Sequence, residues 1–306
     1  MSLLADVNTG KLYEKTADAP ADAWLLPVVE AEPYYEQNTR SAAAPRGRTD
    51  DGKFDRTALS PEHAWRIGRD YLAHCIRYGW PMTVIRECIG AGGRILEMGC
   101  GEEIPFFRAL TCDHSAVMYY KPSLYVGADL NTIRYFPQVT GSRAVILPRT
   151  NVMTPDSGVP DEPFDLVISF EVLEHMDKQD GEQFLDAMVE FAARKPRREG
   201  KPGLILLSTP VNDGQIAKNH IYEWRRSELM RAWARRGCYI EKQFGTFANL
   251  IQLTSALTSE ERIVWNRLCE YHSPHTLCCI FAAAHPEAAR NIAWRVRVTT
   301  DSHGVA

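Results

Sequence analysis

The segment Glu171-Val172-Leu173-Glu174-His175 sets two carboxylates and an imidazole at positions i, i+3 and i+4. That spacing is one face of a helix, if the segment is helical. A second imidazole stands in Asn219-His220-Ile221-Tyr222-Glu223-Trp224. Together Glu171, Glu174, His175 and His220 would suit an octahedral or near-octahedral Mg²⁺ or Mn²⁺ with positions left for outside oxygens, and the imidazoles tilt the choice towards Mn²⁺. Such an ion lowers the pKa of a coordinated hydroxyl, and His175 or His220 could take the proton. The plainer reading is that Glu174 and His175 buttress a helix and that His220 meets a ligand without any ion.

Upstream, Glu97-Met98-Gly99-Cys100-Gly101 closes an apolar run and precedes a helical pattern. Glycines there let the backbone approach a ligand while a helix N-terminus points at it, although a tight strand-to-helix turn needs glycine in any case. Asp129 closes the next apolar run, about 30 residues on, where an acid can accept both hydroxyls of an adenosine ribose. The loop continues into Glu102 and Glu103. Two acids would repel a pyrophosphate, which argues against a dinucleotide, whereas a cofactor without phosphate tolerates them better.

In order, LEMGCG, GADL, FDLVISFEVLEH and LLSTP resemble the successive motifs of the class I S-adenosylmethionine methyltransferases, over roughly residues 90 to 285. The resemblance implies a doubly wound, seven-stranded, mostly parallel α/β sheet (Rossmann-like) with a reversed last strand. It also implies S-adenosylmethionine held by Glu97, Gly99, Cys100, Gly101, Asp129, Leu130, Asn151, Phe170 and Glu171, with Asn151 near adenine. Glu103 departs from the pattern, standing where the family commonly has a third glycine. The pair E-x-x-E-H and H-x-Y-E-W resembles the metal-dependent ribose 2′-O-methyltransferases of small-RNA 3′ ends, and E-x-x-E-H alone is similar to the ubiquinone-biosynthesis O-methyltransferases. These likenesses imply an O-methyltransferase with His175 and His220 as catalytic groups, divalent-metal assistance, and a small-molecule, glycan or nucleic-acid hydroxyl as acceptor. A metal-free N- or C-methyltransferase and a non-catalytic cofactor-binding module stay open. Phe170, Tyr222 and Trp224 could line the acceptor or adenine pocket, Trp224 equally well the core; Tyr119 and Tyr120 are weaker candidates for touching ligand.

The elements that must carry these residues can be read from the apolar pattern. Strands are expected over residues 94–98, 124–128, 144–147, 164–169 and 203–208, alternating with amphipathic stretches as βαβ units do. A helix from near Ser227 to Gly237 leads to a sixth strand at 238–244, and Thr258-x-x-Glu261 signals a capping box. The apolar run 277–283 is expected to be the final strand, with Cys278 and Cys279 buried in it. Ahead of the sheet, Ser60-Pro61-Glu62 signals a helix start, Gly79 and Pro81 its end, and a short helix through Ile85 stops at Gly90. The implied divisions are an irregular arm over 1–59, a helical lead-in over 60–90, the methyltransferase domain over 91–290 and a tail over 291–306.

A composition 45% hydrophobic and 24% charged is that of an ordinary globular protein. The net charge of −4 gives no global attraction to nucleic acid, so the arginines at 194–201 and Arg225, Arg226, Arg231, Arg235 and Arg236 read as a solvated loop and helix surface. Eight cysteines form no C-x-x-C pair, so reduced, buried thiols are expected. Neither a membrane span nor a signal peptide is indicated, and a cytoplasmic protein is expected. Ser169-Phe170-Glu171-Val172 replaces the Asp/Asn-Pro-Pro-aromatic motif of exocyclic-amine DNA methyltransferases, and no Pro-Cys dipeptide exists to supply a cytosine-C5 nucleophile.

Overall fold

A computed structural model describes residues 3–6, 12–14, 25–28 and 77–299, apart from 78, 103, 112–119, 134–142, 194–201, 213, 215 and 270–273. The chain divides into two compact units, Met1–Ile76 with Ala217–Asn219 and Phe244–Ile292, and Arg77–Ile216 with His220–Gln243 and Ala293–Ala306. The first unit contains strands β1 (Leu3–Asp6), β2 (Leu12–Glu14) and β3 (Leu25–Val28), an antiparallel sheet ordered β2-β1-β3. The N-terminal arm is therefore not irregular throughout, as its sequence suggests. Pro27, which has no amide to donate, falls on the edge strand β3, where a sheet tolerates proline. The helices Leu250–Ala256, Ser259–Leu268 and Pro274–Ala282 also belong to this unit. Thr258 caps the second of them with the expected reciprocal bonds to Glu261.

The larger sheet has seven strands: β4 (Arg94–Met98), β5 (Leu124–Asp129), β6 (Arg143–Pro148), β7 (Leu166–Phe170), β8 (Leu204–Pro210), β9 (Cys238–Ala248) and β10 (Ala289–Val298). They lie in the order β6-β5-β4-β7-β8-β10-β9, with β4 to β8 parallel and the last strand reversed. β7 and β8 are buried along their whole length, as strands covered on both faces must be, and the edge strand β6 is half-exposed. The helix Lys178–Ala193 buries Phe184, Leu185, Met188 and Phe191, each contributing about 1.5–3 kcal/mol of transfer free energy.

Three more expectations from sequence are corrected. Residues 277–283 are not the final strand but lie largely in the helix Pro274–Ala282, since a short apolar run cannot by itself distinguish a buried helix from a strand. The final strand is β10, whose span crosses the expected boundary at 290 and occupies half of the expected tail. Its arginines disguised it; Glu241 of β9 forms ion pairs with both Arg295 (2.9 Å) and Arg297 (2.5 Å). Gly79 and Pro81 stand inside helical residues 79–84, which run into a π-helical turn, Ile85–Ile89, closed by Gly90 at φ 75°. The helix start at Ser60 lies outside the described residues.

Candidate active site

Parallel register brings the carboxyl ends of β4, β5, β7 and β8 to one edge, where Met98 pairs with Ala128 and Phe170 with Ser208. On the β4 side, the amides of Gly99 and Cys100 both donate to the Ala128 carbonyl (2.8 and 3.1 Å), stapling the loop to the end of β5. Asp129 accepts the Gly101 amide on one oxygen and the Asn131 amide on the other, each at 2.8 Å. Gly99 has φ 80°, and a Cβ there would lie 2.3 Å from Val172, so the bend and its contact with the loop after β7 both demand glycine. Leu130, beside the acid, is an apolar side chain left 63% exposed. Asn151 closes an Asx turn onto the Met153 amide, and Phe170 is buried edge-on to Phe106.

Glu97 and Cys100 turn inward. The Glu97 carboxyl is buried and accepts the Tyr125 hydroxyl; burial pushes its pKa up to about 8. Burial and the neighbouring Glu97 likewise push the Cys100 thiol up, which makes it inert. Tyr120 bridges the Gly93 amide and the Gly90 carbonyl, both at 2.7 Å, so it clamps the turn before β4; Tyr119 and Glu103 lie outside the described residues.

On the β7 side the expected helix face does not form. Glu171 has φ 57°, and only a single 3₁₀ turn, Leu173–His175, comes after it. Glu171 consequently separates from Glu174: its carboxylate meets Arg77 Nη2 at 3.1 Å and accepts the Ser208 hydroxyl at 2.6 Å. Glu174 is buried and accepts the Thr209 hydroxyl at 3.1 Å, while its carbonyl receives the amides of Ile221 and Tyr222 (2.8 and 3.3 Å). Those bonds bring His220 into place. The His175 and His220 rings lie edge to face at 5.2 Å, and one ligand atom from each of Glu174, His175 and His220 falls within 4.8 Å of the other two.

This cluster fits a divalent cation. Burial and the adjacent Glu171 carboxylate push the Glu174 carboxyl well above the usual carboxylate range, so a cation there would offset the cost of its charge. His220 turns Nδ1 to the fully buried Glu223 carboxylate at 2.5 Å, which leaves Nε2 for an ion, the carboxylate-histidine arrangement of many metal sites. Glu223, Thr209, Ser208 and Arg77 were missed as site residues from sequence. Glu223 lies within the H-x-Y-E-W motif and the hydroxyls within LLSTP, but nothing marked Arg77. Trp224 proves to be core, packed on Gly181, and the Tyr222 hydroxyl donates to Glu228 at 2.9 Å.

The family model described as a methyltransferase domain matches residues 73–255. No curated protein sequence matches the chain. Among solved structures, the methyltransferase domain of bacterial CtHen1 is similar at 17% identity, covering 74% of this chain and 100% of that one, TM-score 0.44. The small RNA methyltransferase HEN1 is similar at 14% identity over 75% of this chain and 26% of that one, TM-score 0.46. A SAM-dependent methyltransferase from Archaeoglobus fulgidus is similar at 16% identity over 77% and 97%, TM-score 0.43.

Proposed function

Because the chain belongs to the methyltransferase-domain family, we propose that it transfers the methyl group of S-adenosylmethionine to a hydroxyl oxygen, with a divalent ion assisting. The observation that carries this reading is the convergence of Glu174, His175 and His220 on the same sheet edge as the glycine loop and Asp129. In the transfer, an acceptor oxygen lone pair attacks the methyl carbon in line with the carbon–sulfur bond. That bond breaks with its electron pair going to sulfur, leaving a neutral thioether. The protein's share is to hold both partners in line and to receive the acceptor's proton.

Asp129 would hold the ribose hydroxyls, with Leu130, Asn151 and Phe170 around the adenine and the loop Gly99 to Gly101 along the methionine part. Glu174, His175 and His220 would hold Mg²⁺ or Mn²⁺, which when bound lowers the pKa of an acceptor hydroxyl. His175, exposed at the surface, can serve as ligand or as proton acceptor, but not through the same nitrogen. A vicinal diol or catechol is the acceptor that best suits an ion with open positions. A small molecule or glycan is favoured over a polynucleotide: the net charge is −4, and Arg235 and Arg236 are engaged by Glu182 and Asp186. The test is conversion of S-adenosylmethionine to S-adenosylhomocysteine with a panel of diols, with and without chelator. We expect chelator and His220→Ala each to abolish turnover; full activity in chelator would replace this reading with a metal-free one.

A further inference from the structure

Two acids of the E-x-x-E-H segment meet two adjacent hydroxyls at the end of β8. Ser208 donates to Glu171 at 2.6 Å and Thr209 donates to Glu174 at 3.1 Å. Consecutive residues of a strand point to opposite faces, so this dipeptide separates the two carboxylates. Glu171 turns to the buried Arg77, and its main-chain amide is held by the Ser208 carbonyl at 2.9 Å. Glu174 turns to the two imidazoles, and Thr209, wholly buried, contributes the side-chain hydroxyl that fixes its carboxylate. Among the described residues, the group compact enough for one ion is Glu174, His175 and His220, without Glu171.

We infer that Thr209 is a positioning residue that aims Glu174 at the ion, and that Glu171 is the charge partner of Arg77 and no ligand. Three protein ligands then leave half of an octahedral shell to outside oxygens, as a chelating diol requires. This inference rests on the proposed metal site, so the test separates the two. Mn²⁺ is titrated into the full chain and followed by electron paramagnetic resonance, with S-adenosylmethionine affinity measured on the same samples. Wild-type protein that binds no Mn²⁺ removes the metal reading and this inference with it.

Given wild-type binding, Glu174→Gln should lose it and Glu171→Gln should stay within about threefold of wild type. Thr209→Val, which keeps shape and deletes the hydroxyl, should weaken Mn²⁺ binding by about 10–100-fold with S-adenosylmethionine affinity retained, as outer-shell changes do. Thr209→Ser should restore it. Wild-type Mn²⁺ affinity in Thr209→Val, or a loss in Glu171→Gln equal to that in Glu174→Gln, overturns the assignment. Should Thr209→Val fail to fold, the comparison of the two glutamine variants decides.

Discussion

Each oxygen of Asp129 already accepts one main-chain amide, from Gly101 or from Asn131, and a carboxylate oxygen has a further lone pair to offer. The carboxylate is therefore aimed before any ligand arrives. Asp129→Ala should weaken S-adenosylmethionine binding by about 10–100-fold, the worth of charged hydrogen bonds of about 1.5–3 kcal/mol, as read by calorimetry. Glu97 makes a different prediction. Its raised folded pKa, about 8, means that the folded state holds a proton that the unfolded chain gives up near 4.5. The associated stability is complete below about pH 4.5, declines as pH rises and is lost past about pH 8. Glu97→Gln, which can still accept the Tyr125 bond, should flatten the fall of Tm across that window; an unchanged slope would show that another group carries it. Glu174, His175 and His220 were legible as a cluster because their types alone advertise ligand chemistry. The partnership of Glu171 with Arg77 was not, because a contact so remote in sequence leaves no local pattern.

The loop after β4 is held by three things: the Ala128 carbonyl, the Asp129 carboxylate and the Val172 side chain against Gly99. Gly99→Ala places a non-glycine residue at φ 80° and a methyl 2.3 Å from Val172, so it should cost about 2–4 kcal/mol in urea unfolding. Adding Val172→Ala should recover the steric part but not the backbone part, so partial rescue is expected and full rescue would contradict the strained bend. At this scale the β strands from residue 94 to 210 were legible, because parallel strands buried on both faces are continuous apolar runs between turn residues. The E-x-x-E-H segment was not. Its helical spacing is real, but the left-handed Glu171 and the short turn after it put its side chains on different partners.

Across the whole molecule, the central sheet depends on its last strand in sequence. β10 stands between β8 and β9, so ending the chain at residue 288 removes an interior strand rather than a loose tail. The truncated protein should be insoluble or lack a cooperative thermal transition by circular dichroism; a soluble, cooperatively melting product would show that the sheet closes without β10. Among the described residues no helix is long and apolar enough to cross a membrane.

The order of motifs along the chain determined the family, the parallel core and the sheet edge where the site would lie, since each of these is written in local apolar periodicity and in glycine and acid placement. Tertiary structure alone decided which residues complete the site. The strand carrying Arg295 and Arg297 stands inside the sheet with Glu241 paired to both guanidinium groups, and the two glutamates of one short motif parted, one to Arg77 and the other to Thr209. Both outcomes turn on the cost of burying charge, and that cost is set by neighbours far along the chain.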